Sequence, residues 1–148
     1  MKPPSEETVT QIAMIVEDID KACDQYARTF GIDKPEWFLT EPPEQSRINY
    51  RGATTPARAK LAFVRFANLT FELIEPVDGP SVWRDFLDQH GEGVHHIAFN
   101  VQGMTQAVES FSERGIPLAQ TGEYTGGRYA YLDGKAALGV DIELLEND

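Results

Sequence analysis

An α+β fold, two paired βαβββ modules forming a cup-shaped mixed sheet, is what this sequence predicts. Two internal matches and the periodicity around them carry that expectation. Gln11-Ile-Ala-Met-Ile-Val16 aligns with His96-Ile-Ala-Phe-Asn-Val101 at a spacing of 85 residues, so Ile12, Ala13 and Val16 recur as Ile97, Ala98 and Val101. At the same spacing Ala22 and Tyr26 fall on Ala107 and Phe111. Further on, Phe71-Glu-Leu-Ile-Glu75 matches Ile142-Glu-Leu-Leu-Glu146 at a spacing of 71 residues. Self-similarity in a fixed order marks a duplicated supersecondary unit. The mismatch between the two spacings is assigned to one longer loop in the first half, the Pro-rich polar stretch Glu41–Arg58.

The elements follow in order. Val9–Val16 is β-rich and alternating, hence a strand. Asp18 is suited to cap a helix over Ile19–Phe30, and Gly31 to stop it. Trp37–Thr40, Leu61–Phe66 and Leu69–Glu75 read as strands. Asp78-Gly79-Pro80 breaks the chain, and Ser81 caps an amphipathic helix over Val82–His90. After Gly91-Glu92-Gly93 the pattern repeats: strand Val94–Val101, helix Met104–Arg114 stopped by Gly115, then strands Pro117–Thr121, Arg128–Asp133 and Val140–Leu145. The expected organisation is a single domain over 1–148, with a first module at 8–76, a linker helix within 77–92 and a second module at 93–147. Whether the modules pair within one chain or between two is left open by the sequence.

Composition narrows the partners. Thirteen Lys and Arg against 24 Asp and Glu give a net charge of −11, a surface that repels phosphate backbones and anionic lipid. Nucleic acid and membranes are therefore not expected as partners, although a local Arg cluster could still hold an anionic small molecule. No stretch approaches the roughly 20 apolar residues of a membrane span. The opening MKPPSEETVT lacks the apolar core of a signal peptide, and the lone Cys23 has no partner for an internal disulfide. Both point to the cytoplasm.

Side-chain parity then selects the site. Successive strand residues face opposite sides, so Ile12, Met14 and Val16 share one face, as do Ile97, Phe99 and Val101. These bulky faces are expected to pack on the helices. The other faces place Gln11, Glu72, His96 and Glu143 at repeat-equivalent positions inside the cup. Taken singly, each has a plainer reading: a hydrogen-bonded strand histidine, a solvated glutamate. Together one imidazole, two carboxylates and an amide oxygen form a mixed N/O set suited to one divalent metal such as Zn, Ni, Co, Mn or Fe. The same parity turns His95 away from the site and leaves Glu75 and Glu146 to end their strands in solvent. Trp37, Trp83 and Cys23 read as packing residues.

The sequence resembles the vicinal oxygen chelate superfamily, which includes glyoxalase I, methylmalonyl-CoA epimerase, extradiol dioxygenases and bleomycin-resistance proteins. The resemblance runs from about Thr8 to Glu146. His90-Gly-Glu-Gly-Val-His-His-Ile-Ala-Phe99, VEDIDKACDQYARTFGI and FELIEP are most similar to methylmalonyl-CoA epimerases. It implies paired modules around one metal held by Gln11, Glu72, His96 and Glu143. It also implies a metal-dependent isomerase, epimerase or lyase that abstracts a proton next to a carbonyl through a metal-stabilised enolate or enediolate. Glu143 is then the base, with Glu72 the second catalytic carboxylate, and a homodimer is expected. The departure is Gln11, where epimerases carry His. A Gln/Glu/His/Glu set is instead similar to zinc-dependent glyoxalase I, yet Ile15 stands where that enzyme has its glutathione-binding Arg. For the small carbonyl substrate, anionic or not, Arg128, Tyr129 and Arg58 are the candidate anchors. The rival readings are a non-catalytic small-molecule-binding protein of the resistance type and an extradiol dioxygenase, which calls for two His and one Glu.

Overall fold

The computed structural model describes residues 8–148; residues 1–7, part of the segment behind the cytoplasmic expectation, lie outside them. Strand β1 (Val9–Ile15) leads into helix α1 (Ile19–Phe30), where the Asp18 carboxylate accepts the Lys21 N–H. Gly31 ends the helix at φ 64°, a left-handed conformation that glycine adopts without a Cβ penalty. Strands β2 (Phe38–Leu39), β5 (Arg58–Arg65) and β6 (Thr70–Val77) complete the first module. Helix α3 (Val82–His90), capped by the Ser81 hydroxyl, joins it to the second. There β7 (Gly93–Asn100), helix α4 (Met104–Glu113), β8 (Leu118–Tyr124), β9 (Gly127–Leu132) and β10 (Asp141–Asn147) repeat the order, with a short helix α5 (Lys135–Leu138) before the last strand.

The described strands, with β3 (Asn49–Tyr50) and β4 (Ala53–Thr54), join one sheet in the order β2-β5-β6-β1-β7-β10-β9-β8-β3-β4. Four strands of each module run outward from the antiparallel β1·β7 seam in matching order, β1-β6-β5-β2 on one side and β7-β10-β9-β8 on the other. The parallel pairs are β1·β6 and β7·β10, the crossovers being the two helical units. The modules therefore pair within one chain. The stretch expected as a long loop instead holds helix α2 (Pro43–Ser46) and strands β3 (Asn49–Tyr50) and β4 (Ala53–Thr54). It crosses to the far edge of the sheet, where Asn49 and Tyr50 pair with Thr121 and Gln120 of β8. A sequence strap thus ties the first module's edge to the second's.

Packing follows the predicted faces. Val16, Ile19, Cys23, Ala62 and Leu73 form the layer under α1, and Val101, Ala107, Leu132, Ile142 and Leu144 the layer under α4. Leu73, Leu132 and Leu144 are almost wholly buried, each worth about 2 kcal/mol of removed apolar surface. On the inner face, α3 packs Val82, Trp83 and Phe86 against Ala13, Ile15, Ile74 and Tyr131. The Trp83 indole N–H donates to the Tyr131 hydroxyl at 3.1 Å.

Three expectations need correction. Trp37 is 40% exposed and lies under the Lys60 ammonium, 4.7 Å from the ring centre, so it is not a core residue. Glu75 and Glu146 do not end in solvent: Glu75 accepts the Ile19 N–H at the start of α1, and Glu146 accepts the Gly103 and Met104 N–H groups at the start of α4. Each carboxylate satisfies orphan donors at the helix of its own module, so the repeat extends to its helix caps. His95 is the third, and it belongs to the site. Among the described residues no helix is long and apolar enough to cross a membrane.

Candidate metal centre

Glu72, His96 and Glu143 lie inside the cup with one donor atom from each within 4.8 Å of the others. His96 Nε2 is 3.3 Å from Glu143 Oε1 and 3.6 Å from Glu72 Oε1. Small neighbours make the room: Ala13 pairs with His96 across the seam, Ala98 with Glu143 across β7·β10, and both alanines are fully buried. The two glutamates come from β6 and β10, the strands flanking the seam pair on either side.

Electrostatics set this cluster apart from an ordinary buried network. Burial first, and then the Glu143 carboxylate beside it, push the Glu72 carboxyl well above the usual carboxylate range. The polar atoms are also unfinished. Gln11 Oε1, His96 Nε2 and Glu143 Oε1 are all buried without a hydrogen-bond partner. Leaving a buried polar group unpaired costs about 1–3 kcal/mol, and three occur in one place. These are three of the four residues that strand parity selected. Oxygen, nitrogen and carboxylate donors converging with no protein partner fit a divalent transition-metal ion.

His95 contradicts the parity argument. The register of β7 against β1 slips between Ala13 and Met14, so that Ala13 faces His96 while Met14 faces Val94. The bulge absorbs one residue and turns His95 inward, where it is 2% exposed. Its ring meets Phe86 and Tyr131 edge-on, with centroids 5.3 Å and 5.6 Å away. Its Nδ1 lies 2.8 Å from His96 Nδ1 and its Nε2 3.3 Å from the Asp141 carboxylate. Burial lowers the His95 pKa, and the Asp141 contact opposes that shift only in part. Sequence reasoning missed both His95 and Asp141. The adjacent pair His95-His96 was the one available signal, and alternation alone argued against it.

A cavity of about 600 Å³ opens above the cluster. One wall is apolar, from Phe38, Leu61 and Phe63; Tyr124, Tyr129 and Trp83 contribute aromatic surface, and Thr10 and Asn100 polar groups. Burial raises the Tyr129 pKa further above its ordinary value, so its hydroxyl stays protonated at the wall; it accepts from the Gln120 amide at 3.1 Å. Of the expected substrate anchors the structure brings only Tyr129 to the cavity. Arg128 pairs with Glu146 and Asp148, and Arg58 donates to the Thr40 carbonyl. Neither lines the cavity.

Comparison with known proteins agrees with this architecture. Protein YqjC of Bacillus subtilis, itself uncharacterized, is 28% identical over 138 residues, covering 91% of this chain and 89% of its own. An ethylmalonyl-CoA/methylmalonyl-CoA epimerase of Cereibacter sphaeroides is 25% identical over 116 residues, 78% of this chain and 76% of that one. In three dimensions, methylmalonyl-CoA epimerase from Mycobacterium tuberculosis superposes with a TM-score of 0.64 at 23% identity, over 100% of this chain and 93% of that one. A hypothetical protein from Bacillus halodurans gives 0.65 at 22% identity, over 97% and 96%. A family profile matches residues 10–131, and by it the chain belongs to the Glyoxalase/Bleomycin resistance protein/Dioxygenase superfamily.

Proposed function

We propose that the chain is a metal-dependent enzyme that moves a proton on a carbon next to a carbonyl, as an isomerase or epimerase. The observation that carries this reading is the trio of buried, unpartnered polar atoms, Gln11 Oε1, His96 Nε2 and Glu143 Oε1, beside a Glu72 carboxyl that burial pushes well above the usual carboxylate range. Gln11, Glu72, His96 and Glu143 are the four ligands. A divalent ion held by them supplies Lewis-acid polarisation of a carbonyl oxygen. The protein's own part is proton transfer and exclusion of water. Glu143, on the last strand, takes the proton from the carbon; Glu72, reaching in from the other module, is placed to serve a second face. Two carboxylates from opposite halves suit the inversion for which the Cereibacter epimerase is named, a malonyl-type thioester being one candidate substrate. The apolar wall of Phe38, Leu61 and Phe63 accommodates a carbon skeleton, and the protonated Tyr129 hydroxyl is a donor for a substrate oxygen. The glyoxalase-type isomerisation of an α-hydroxy carbonyl uses the same proton transfer and is the alternative substrate class.

His95 turns away from an extradiol dioxygenase, because its ring reaches the far nitrogen of His96 and leaves a single imidazole facing the carboxylates. The test is proton exchange in D₂O, followed by NMR on methylmalonyl-CoA and on α-hydroxy ketones, with protein loaded in turn with Zn²⁺, Co²⁺, Ni²⁺ and Mn²⁺. Exchange that depends on added metal and disappears in Glu143→Ala supports the reading. Tight binding of these compounds with no exchange under any metal refutes it in favour of a binding protein.

A further inference from the structure

We propose that Ser46 binds the far end of the substrate, and that this end is an uncharged skeleton carrying a neutral oxygen, such as a hydroxyl, rather than a carboxylate or phosphate. The inference rests on the proton-transfer reading for the reacting end, and it deepens that reading by choosing the uncharged hydroxy carbonyl over the malonyl-type thioester. Ser46 closes helix α2, where its N–H donates to the Pro42 carbonyl at 3.0 Å. Arg47 then turns left-handed at φ 47°, so that Ser46 and Ile48 are both buried while the Arg47 side chain stays outside. Ile48 sits in the inner core, and Asn49 and Tyr50 pair with β8, which holds the serine in place.

Ser46 lines the cavity above the metal ligands, is only 4% exposed, and its Oγ has no hydrogen-bond partner. Other hydroxyls around the same wall are engaged: Thr10 donates to the Ala98 carbonyl at 3.2 Å, Thr125 to Glu41 at 3.2 Å and Tyr124 to Asn147 at 2.7 Å. An oxygen arriving at Ser46 therefore gains a bond without breaking one, and relieves a buried polar group that is costly to leave unpaired. Charge decides what kind of oxygen. The charged side chains lining the cavity are Glu41, Glu72, Glu123 and Glu143, and among the described residues no Lys or Arg lines it. Arg47 reaches only the Glu123 carboxylate, at 3.7 Å, and Arg58 is held by the Thr40 carbonyl. Glu41 and Glu123 are not metal ligands, so their charge remains when the centre is filled. A cleft lined by one sign of charge focuses that potential, here against a carboxylate or a phosphate. The wall of Phe38, Leu61 and Phe63 suits an uncharged chain.

The test is calorimetric titration, with and without zinc, of α-hydroxyketones whose linear tails are graded in length and end in methyl, hydroxyl or carboxylate. At the best-fitting length the hydroxyl-ended compound should bind about tenfold more tightly than the methyl-ended one, the worth of one hydrogen bond in a dry site. The carboxylate-ended compound should bind most weakly and recover affinity in the double variant Glu41→Gln, Glu123→Gln. Ser46→Ala should erase the advantage of the hydroxyl and leave the methyl-ended affinity as in wild type, a pattern that misfolding does not give. A carboxylate-ended compound, or methylmalonyl-CoA, that binds more tightly than the hydroxyl-ended one overturns the proposal. So does a Ser46→Ala variant that keeps the advantage, which leaves the serine holding only water, or one that weakens all three compounds alike. A series that does not bind at all overturns it too. The proton-transfer reading fails separately, when hydroxyketones bind without α-proton exchange in D₂O under any metal, and the Ser46 comparison still stands.

Discussion

Replacing Glu72 with Gln removes one of two carboxylates that the fold buries side by side, and the consequence for the metal-free protein is a gain in stability. The donor atoms of Glu72, His96 and Glu143 lie within 4.8 Å of one another. At that separation two unit charges repel by about 3 kcal/mol at an effective dielectric near 20. Burial, and then the Glu143 carboxylate, push the Glu72 carboxyl well above the usual carboxylate range, which favours its protonated form. Between about pH 4 and the raised value, the folded chain then binds a proton that the unfolded chain has lost. Stability from this group is complete at low pH and falls as pH rises, the reverse of a salt-bridged carboxylate. The amide of Gln escapes that loss. Metal-free Glu72→Gln should exceed wild type by about 1–3 kcal/mol at pH 8, or roughly 2–12 °C in Tm at about 2–4 °C per kcal/mol, and the gap should close toward pH 4. Saturating zinc should reverse the order, because the variant has given up a charged ligand. Thermal denaturation in chelator and in zinc, each from pH 4.5 to pH 8, measures both. A metal-free wild type whose stability does not decline relative to the variant across this range refutes the reasoning.

Other substitutions test the ligand set and the packing that shapes it. His96→Ala should lose its metal on dialysis, with metal content read by mass spectrometry, while Gln11→Ala keeps a weaker site because only a neutral donor is lost. Gln11→His should tighten binding and shift preference toward later metals, since imidazole favours them; competition titrations with Mn²⁺, Co²⁺ and Ni²⁺ report this. Glu143→Ala, measured at saturating metal, should lower α-proton exchange by about 10²–10⁴-fold in D₂O experiments. Ala13→Leu forces a larger side chain beside His96 and should cost about 1–3 kcal/mol from overpacking, read as a lowered urea midpoint.

Much of this architecture was legible because the two halves report on each other. Glu72 and Glu143 were placeable from alternation since the pairings of β6 with β5 and of β10 with β9 run without a break in register. His96 was placed by its repeat partner Gln11, which survives the bulge. His95 was not, because a one-residue slip in register leaves no mark in composition, and it inverts every parity argument on one side of it. Glu75 and Glu146 were misread for a different reason. Parity correctly took them off the ligand face, but the exposed backbone donors at the start of each helix lie far away in sequence, and only the folded chain brings them together. Strands β3 and β4 are two residues each, too short for periodicity to register. Arg128 and Arg58 looked free because their acidic and carbonyl partners could not be seen.

The strap formed by α2, β3 and β4 also constrains when the molecule can finish folding. Its Asn49 waits for Thr121, and Ile48, only 3% exposed in the finished fold, has its burial site inside a core that includes Ala119 and Tyr131. During synthesis the first half therefore emerges with an apolar segment whose berth has not yet been made. Contacts so distant along the chain pay their loop-closure entropy before they return any packing. The duplicated sequence suggests two units able to fold one after the other. The strap denies them that independence: the first half reaches its final form only after the ribosome has completed β8, and an isolated first half should be a poor folder for want of its neighbour's edge.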